Sequence, residues 1–127
     1  CLLIQSEKDF DQNTIKCLQN ISQSCYLAGM KLLRDGKYDL ALVSLKKACD
    51  QNVFESCMEI GTYYATDNQK ELAKSYYKIS CENNDYKACF NLKYLSANTV
   101  KSRKDLQKKY DKCLDNNESA CSSLIKL

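Results

Sequence analysis

Eight of the nine cysteines in this 127-residue chain lie on one ruler. Cys17 and Cys25, Cys49 and Cys57, Cys81 and Cys89, and Cys113 and Cys121 are each eight positions apart, and every pair follows the last by 32 residues. A fixed period in this range marks stacked repeats, in which one supersecondary unit buries its apolar face against the next. Laid over one another from the first cysteine, the units keep more than cysteine in phase. Asn20, Asn52, Asn84 and Asn116 recur, as do Gly29 and Gly61, Leu40 and Leu72, and Ala41 and Ala73. Asparagine tolerates the left-handed backbone that closes a helix, so each one predicts a turn between two cysteines. Small residues at matching places predict that neighbouring helices approach closely.

Between the turns the apolar spacing is helical. Phe54, Cys57, Ile60, Gly61 and Tyr64 follow a three-and-four rhythm, and Leu72, Ala73, Tyr76, Tyr77 and Ile79 repeat it. Each unit therefore reads as a helix A (21–33, 53–66, 85–97), a short turn at Asp35-Gly36, Asp67-Asn68 or Asn98-Thr99, and a helix B (38–50, 70–82, 102–114). A last helix is expected over 117–126. Ahead of the first full unit, residues 9–20 carry Phe10, Ile15 and Leu18 at helical spacing, a half-repeat that would cover the apolar end of the stack. The absence of proline, with only three glycines, suits short helices joined by Asn and Asp turns better than a turn-rich β domain. The expectation is an all-α chain with a single repeat domain over 9–127.

Two cysteines eight apart on an unbroken helix would stand about 12 Å apart, whereas a disulfide needs Cα atoms within roughly 7 Å. The asparagine break can close that gap. Roughly a hundred connectivities are open to eight cysteines, and the repetition favours the local set: Cys17 with Cys25, Cys49 with Cys57, Cys81 with Cys89, Cys113 with Cys121. A metal site is the weaker reading, because histidine is missing and the cysteine spacing is not that of zinc ligands. A catalytic redox site lacks the CxxC arrangement. No metal or other cofactor is expected. The net charge of +3 is too small to point to nucleic acid, and no apolar run approaches a membrane span.

The stretches KKACDQNVFESCMEIGTYYA and YKISCENNDYKACFNLKYLS resemble the junction between Sel-one-like repeats, in particular the cysteine-rich Hcp-type branch. Cys57, Ile60, Gly61 and Tyr64 match the helix A signature of that family, and Leu72-Ala73 with Tyr77 its helix B signature. In the third unit Cys89 and Leu92 match, while Lys93 and Ser96 replace the glycine and tyrosine. The connection within each pair is shorter than the family's Gly-rich loop, closer to tetratricopeptide dimensions. The resemblance spans 17–127. It implies a right-handed α/α superhelix of about three to four helical pairs, in an exported bacterial protein of the periplasm or cell envelope, or a secreted one. Such proteins usually serve as adaptors for other proteins. Some Hcp-type members are described as penicillin-binding or weak β-lactamases, and related repeats act as immunity-type neutralisers of secreted toxins. Ser75 and Lys78 carry the letters of an S-x-x-K motif, but within a helix B and with no partner motif.

Cys1 is off the ruler. It resembles the first residue of a mature bacterial lipoprotein, which would make Cys1 the lipidation site and residues 1–8 a tether. The plain alternative is a chain boundary that falls on a cysteine by chance. This anchor would be the chain's only contact with a membrane.

In stacked helical pairs the concave wall is lined by helix A residues that do not face the core. The in-phase positions that vary there are Leu27, Glu59 and Asn91; Met30, Thr62 and Tyr94; and Lys31, Tyr63 and Leu95. A mixed polar and aromatic set suits a protein or peptide partner; the competing reading buries Tyr63, Tyr94 and Leu95 between repeats. Residues 100–112 carry Lys101, Arg103, Lys104, Lys108, Lys109 and Lys112. They form either a solvated outer face partly balanced by Asp105 and Asp111, or a contact for an acidic partner or lipid headgroups. The function expected from these features is a non-enzymatic protein-interaction module.

Overall fold

The computed structural model describes residues 12–126, and every regular element among them is an α-helix. In chain order these are α1 (Gln12–Leu18), α2 (Ser22–Arg34), α3 (Tyr38–Asp50), α4 (Phe54–Thr66), α5 (Lys70–Glu82), α6 (Tyr86–Ser96), α7 (Val100–Leu114) and α8 (Glu118–Ile125). The expectation of an all-α chain holds, and the helix limits fall within two residues of those read from the period. Cys1, the tether 1–8 and Phe10 lie outside the described residues. The chain divides into two compact units, one up to Ile60 and one from Gly61, with the division inside α4.

The turns explain the regularity. Asn20, Asn52, Asn84 and Asn116 all adopt left-handed backbone, with φ between 66° and 69°, as do Gly36 at 75° and Asn68 at 59°. At each, the left-handed residue's N–H donates to the carbonyl three residues back, and the following N–H donates five back. Asn20 reaches Cys17 at 2.9 Å and Ile21 reaches Lys16 at 3.0 Å, and the same pair of bonds recurs at Asn52 and Val53, Asn84 and Asp85, and Asn116 and Asn117. These bonds satisfy carbonyls that a helix end otherwise leaves open. The α6–α7 connection departs from the pattern. There Ala97 is extended, and the hydroxyl of Thr99 accepts from the N–H of Ser102 at 3.0 Å. That cap starts α7 at Val100, two residues ahead of the limit read from the period.

Each asparagine turn folds the end of one helix beside the start of the next, and a disulfide crosses it. The bridges are Cys17–Cys25, Cys49–Cys57, Cys81–Cys89 and Cys113–Cys121, with Cα separations of 4.3, 4.9, 4.6 and 4.7 Å.

In the first unit α2 packs on both α1 and α3. Cys17, Cys25, Ala28, Ala48 and Val53 form its core, with Tyr26 laid against them. Gly29 lets α2 close on α3: a Cβ there would lie 2.6 Å from Cγ and Cδ2 of Leu45, a fully buried side chain. The buried hydroxyl of Ser56 donates to the carbonyl of Leu45 at 2.7 Å, tying α4 to the same place. In the second unit Gly61 sits under Tyr77 in the same manner, where a Cβ would stand 2.7 Å from the ring. Tyr77 donates its hydroxyl proton to Thr62 Oγ1 at 3.0 Å, and Tyr64 stacks on Tyr76 at 5.7 Å between centroids. Toward the chain's end, Cys113, Ala120 and Leu124 form a core flanked by Phe90, Leu106 and Tyr110.

The apolar rhythm marks the helices without marking their buried side: Leu72 and Ile79 are 43% and 38% exposed, and Leu18 of the half-repeat is 65% exposed. What α5 turns inward is Ala73, Tyr77, Ser80 and Cys81. The glycine on the facing helix is what admits Tyr77 to this side, while Leu72 and Ile79 stand at its margin.

Candidate functional site

The third helical pair breaks the glycine rule in a coordinated way. Gly29 faces Leu45 and Gly61 faces Tyr77; 32 residues further on, the two positions hold Lys93 and Lys109. A lysine cannot be overlaid by a bulky neighbour as glycine is. Lys93 instead sends its ammonium to α8, donating to the carbonyl of Ser123 at 3.0 Å. Burial holds the Lys93 ammonium below its ordinary pKa, and the charge of Lys109 adds to the effect.

An aromatic stripe takes over the packing in this pair. Tyr86, Phe90 and Tyr94 stand four residues apart along one side of α6. Phe90 stacks on Tyr110 of α7 at 4.5 Å, Tyr86 lies 6.3 Å from the same ring, and Phe90 and Tyr94 are 5.6 Å apart. The guanidinium of Arg103 lies 5.7 Å from the Tyr94 ring centroid, and its Nη2 donates to the carbonyl of Ala97 at 3.3 Å. Burial first, then Tyr86, Asp85 and Asp111, raise the pKa of the Tyr110 hydroxyl.

These neighbours decide how the candidate binding residues stand. In the first unit Leu27, Met30 and Lys31 line one side of α2: Leu27 is 43% exposed, Lys31 is exposed and Met30 half-buried. Glu59 is half-buried, and its charge, with that of Glu55, acts on the hydroxyl of Tyr26, whose pKa is raised first by burial and then by those carboxylates. In the second unit Thr62 is exposed but accepts the Tyr77 hydrogen bond, and Tyr63 sets its ring edge-on to Tyr64 at 5.5 Å. Asn91 and Leu95 are half-buried on α6. Tyr94 is 40% exposed while one side of its ring is held by Phe90 and Arg103. None of the set is fully buried, and three of its members also hold their own unit together. The stripe 86, 90, 94 escaped the sequence reading, although its four-residue spacing was there to be seen.

Two further places bear on chemistry. A shallow cleft of about 430 Å³ beside the last bridge is lined by Tyr86, Asn116, Glu118, Cys121 and Ile125 among others. It brings together the carboxylate of Glu118, the phenol of Tyr86, the hydroxyl of Ser122 and the last disulfide. Ser75 is exposed and its hydroxyl donates to the carbonyl of Glu71 in its own helix at 3.1 Å. Lys78 leans instead toward Glu82 at 3.9 Å. No group of three metal-ligating side chains occurs among the described residues, and no helix there is long and apolar enough to cross a membrane. Compared with family models, curated proteins and solved structures, the chain matches none.

Proposed function

We propose that this chain is a Sel-one-like repeat protein of the cysteine-rich Hcp type, wound as a right-handed α/α superhelix, that binds a partner protein or peptide on its concave face without catalysing a reaction. The observation that carries the reading is the standing of the varying helix A residues. Leu27 and Tyr94 are large and apolar yet about two-fifths exposed, on helices whose opposite sides are buried. In the first unit Leu27 shares its helix with the cation of Lys31 and the flexible thioether of Met30, and in the second Tyr94 shares its helix with the amide of Asn91. Tyr94 is a favourable anchor because Phe90 and Arg103 already fix its ring. A side chain ordered before the partner arrives loses little entropy on binding. Four disulfides suit an oxidising compartment such as the periplasm, the cell envelope or the exterior.

The test is affinity capture from the native envelope with mass spectrometry, using three baits: the unaltered chain, Leu27→Glu with Met30→Glu, and Tyr94→Glu. A partner retained by the first bait and lost by either altered one is the expected result. Recovery of the same proteins by all three refutes the assigned face.

A further inference from the structure

We propose that the outer face of α7 is a docking surface for an anionic lipid bilayer. This goes beyond the protein-binding reading and does not depend on it. Between Val100 and Leu114 there are six basic residues and two acidic ones. The helix sorts them. Arg103, Leu106, Tyr110 and Cys113 turn toward α6 and α8, with Arg103 committed to Tyr94 and the carbonyl of Ala97. Lys101, Lys104, Lys108 and Lys112 are all exposed. At helical spacing they fall within about 80° of arc, opposite the packed side, in a row about 17 Å long. Lys109 is exposed beside the row. Among the described residues none of these five ammonium groups has a carboxylate within ion-pair distance, in contrast to Lys74 and Lys78 on α5. Asp111 is turned to the side chain of Gln107. The segment 100–114 thus carries six basic residues against two acidic ones, an excess of positive charge that the flanking aspartates only partly balance.

The composition of the row selects the partner. The centres of protein interfaces favour aromatic residues and arginine and are depleted in lysine. This arc holds lysines, two flanking aspartates and no aromatic side chain. Its one arginine is turned inward, so the bidentate fork that reads a fixed carboxylate or phosphate is missing. A row of flexible point charges suits a fluid surface of anionic headgroups, where four to eight basic residues on one helix make an electrostatic contact. Duplex nucleic acid is a diffuse polyanion too, but a chain with four disulfides belongs to an oxidising compartment.

The experiment is co-sedimentation of the full chain, carrying Cys1→Ser so that no acyl anchor contributes, with vesicles of phosphatidylcholine alone or mixed two to one with phosphatidylglycerol. Binding is expected only to the mixed vesicles, weakening as salt is raised. Each lysine near an anionic surface is worth about fivefold in partitioning. Lys104→Gln, Lys108→Gln and Lys112→Gln together should therefore lower binding about a hundredfold, with helicity and melting unchanged. The same number of changes at Lys70, Lys78 and Lys87 should leave it nearly intact. Three results overturn the proposal: no affinity for the mixed vesicles at low salt, equal losses in the two triple variants, or tighter capture by polyglutamate or duplex DNA than by vesicles.

Discussion

Replacing Gly29 by alanine tests the packing logic most directly, because two opposed effects of known size meet there. In a helix interior alanine is favoured over glycine by about 1 kcal/mol. Against that, the new Cβ would lie 2.6 Å from Cγ and Cδ2 of Leu45 and 3.3 Å from the Leu45 backbone nitrogen. Leu45 is fully buried, so its side chain has nowhere to retreat. Ordinary carbon contacts are near 3.5–4 Å, which means a displacement of about 1 Å in a closed site. Overpacking on this scale costs about 1–3 kcal/mol, and the lack of room puts this case at the upper end. Gly29→Ala should lower stability by about 1–2 kcal/mol after the helix gain is counted. A double-mutant cycle isolates the cause. Leu45→Ala alone should cost about 2–5 kcal/mol through the cavity it leaves. With Gly29→Ala added, the clash disappears and the methyl occupies part of that cavity, so the double variant should fall short of the summed losses by at least about 1 kcal/mol. Gly36→Ala is the control: its φ is +75° and no atom lies within 4 Å of the added Cβ, so it carries a backbone cost and no coupling to Leu45. Urea denaturation with the bridges intact supplies all five stabilities, the unaltered chain included. A stable or stabilised Gly29→Ala, or strict additivity in the cycle, would falsify the claim that glycine is required there by Leu45.

Asn52, at φ 69°, should tolerate glycine with almost no change, while Asn52→Ala should lose about 1 kcal/mol for the left-handed backbone; equal midpoints for the two would contradict the turn argument. Limited reduction should open Cys113–Cys121 before the other bridges, since Cys121 is half-buried beside the cleft and the other seven half-cystines are buried. Alkylation with peptide mapping reads the order, and early opening of Cys81–Cys89 would contradict it. Tyr26 and Tyr110 hold their protons above the ordinary tyrosine range. In the unfolded chain they ionise near pH ~10, so the folded chain keeps more protons above that pH and its stability should fall as pH rises further. Tyrosinate absorbance should show a late component that shrinks in Tyr26→Phe and again in Tyr110→Phe; a single step at the ordinary value would argue against it.

Local chemistry made much of the fold legible. The asparagines announced the turns because few other residues accept that backbone, and the turns fixed the helix limits. The start of α7 was less visible, since Thr99 advances it through a side-chain cap outside the period. The spacing of Leu72 and Ile79 marked the helix but not its inner side, which close approach at Gly61 gives to Ala73 and Tyr77. The candidate face was only half legible. Position in the repeat made Leu27 and Tyr94 candidates and left Tyr94 open between the surface and burial between repeats; the grip of Arg103 and Phe90 on Tyr94 depends on α7 lying beside α6, which no periodicity encodes. The exchange of Gly29 and Leu45 for Lys93 and Lys109 could have been read from the alignment of units, had the partners of the glycines been known.

The spacing of the bridges also governs how the chain becomes oxidised. Every partner lies eight residues away, while the gap from one pair to the next is 24. Loop closure over the shorter distance is favoured by about 1 kcal/mol, or roughly fivefold, at each choice. A left-handed turn that forms with only local contacts brings the correct thiols together before any distant helix has docked. Thiols oxidised while the chain is still unfolded would therefore meet their own partners first, which leaves little for later reshuffling to correct. Reoxidation of the reduced chain in a plain thiol–disulfide buffer should then yield the local set as the main product without passing through long-range isomers.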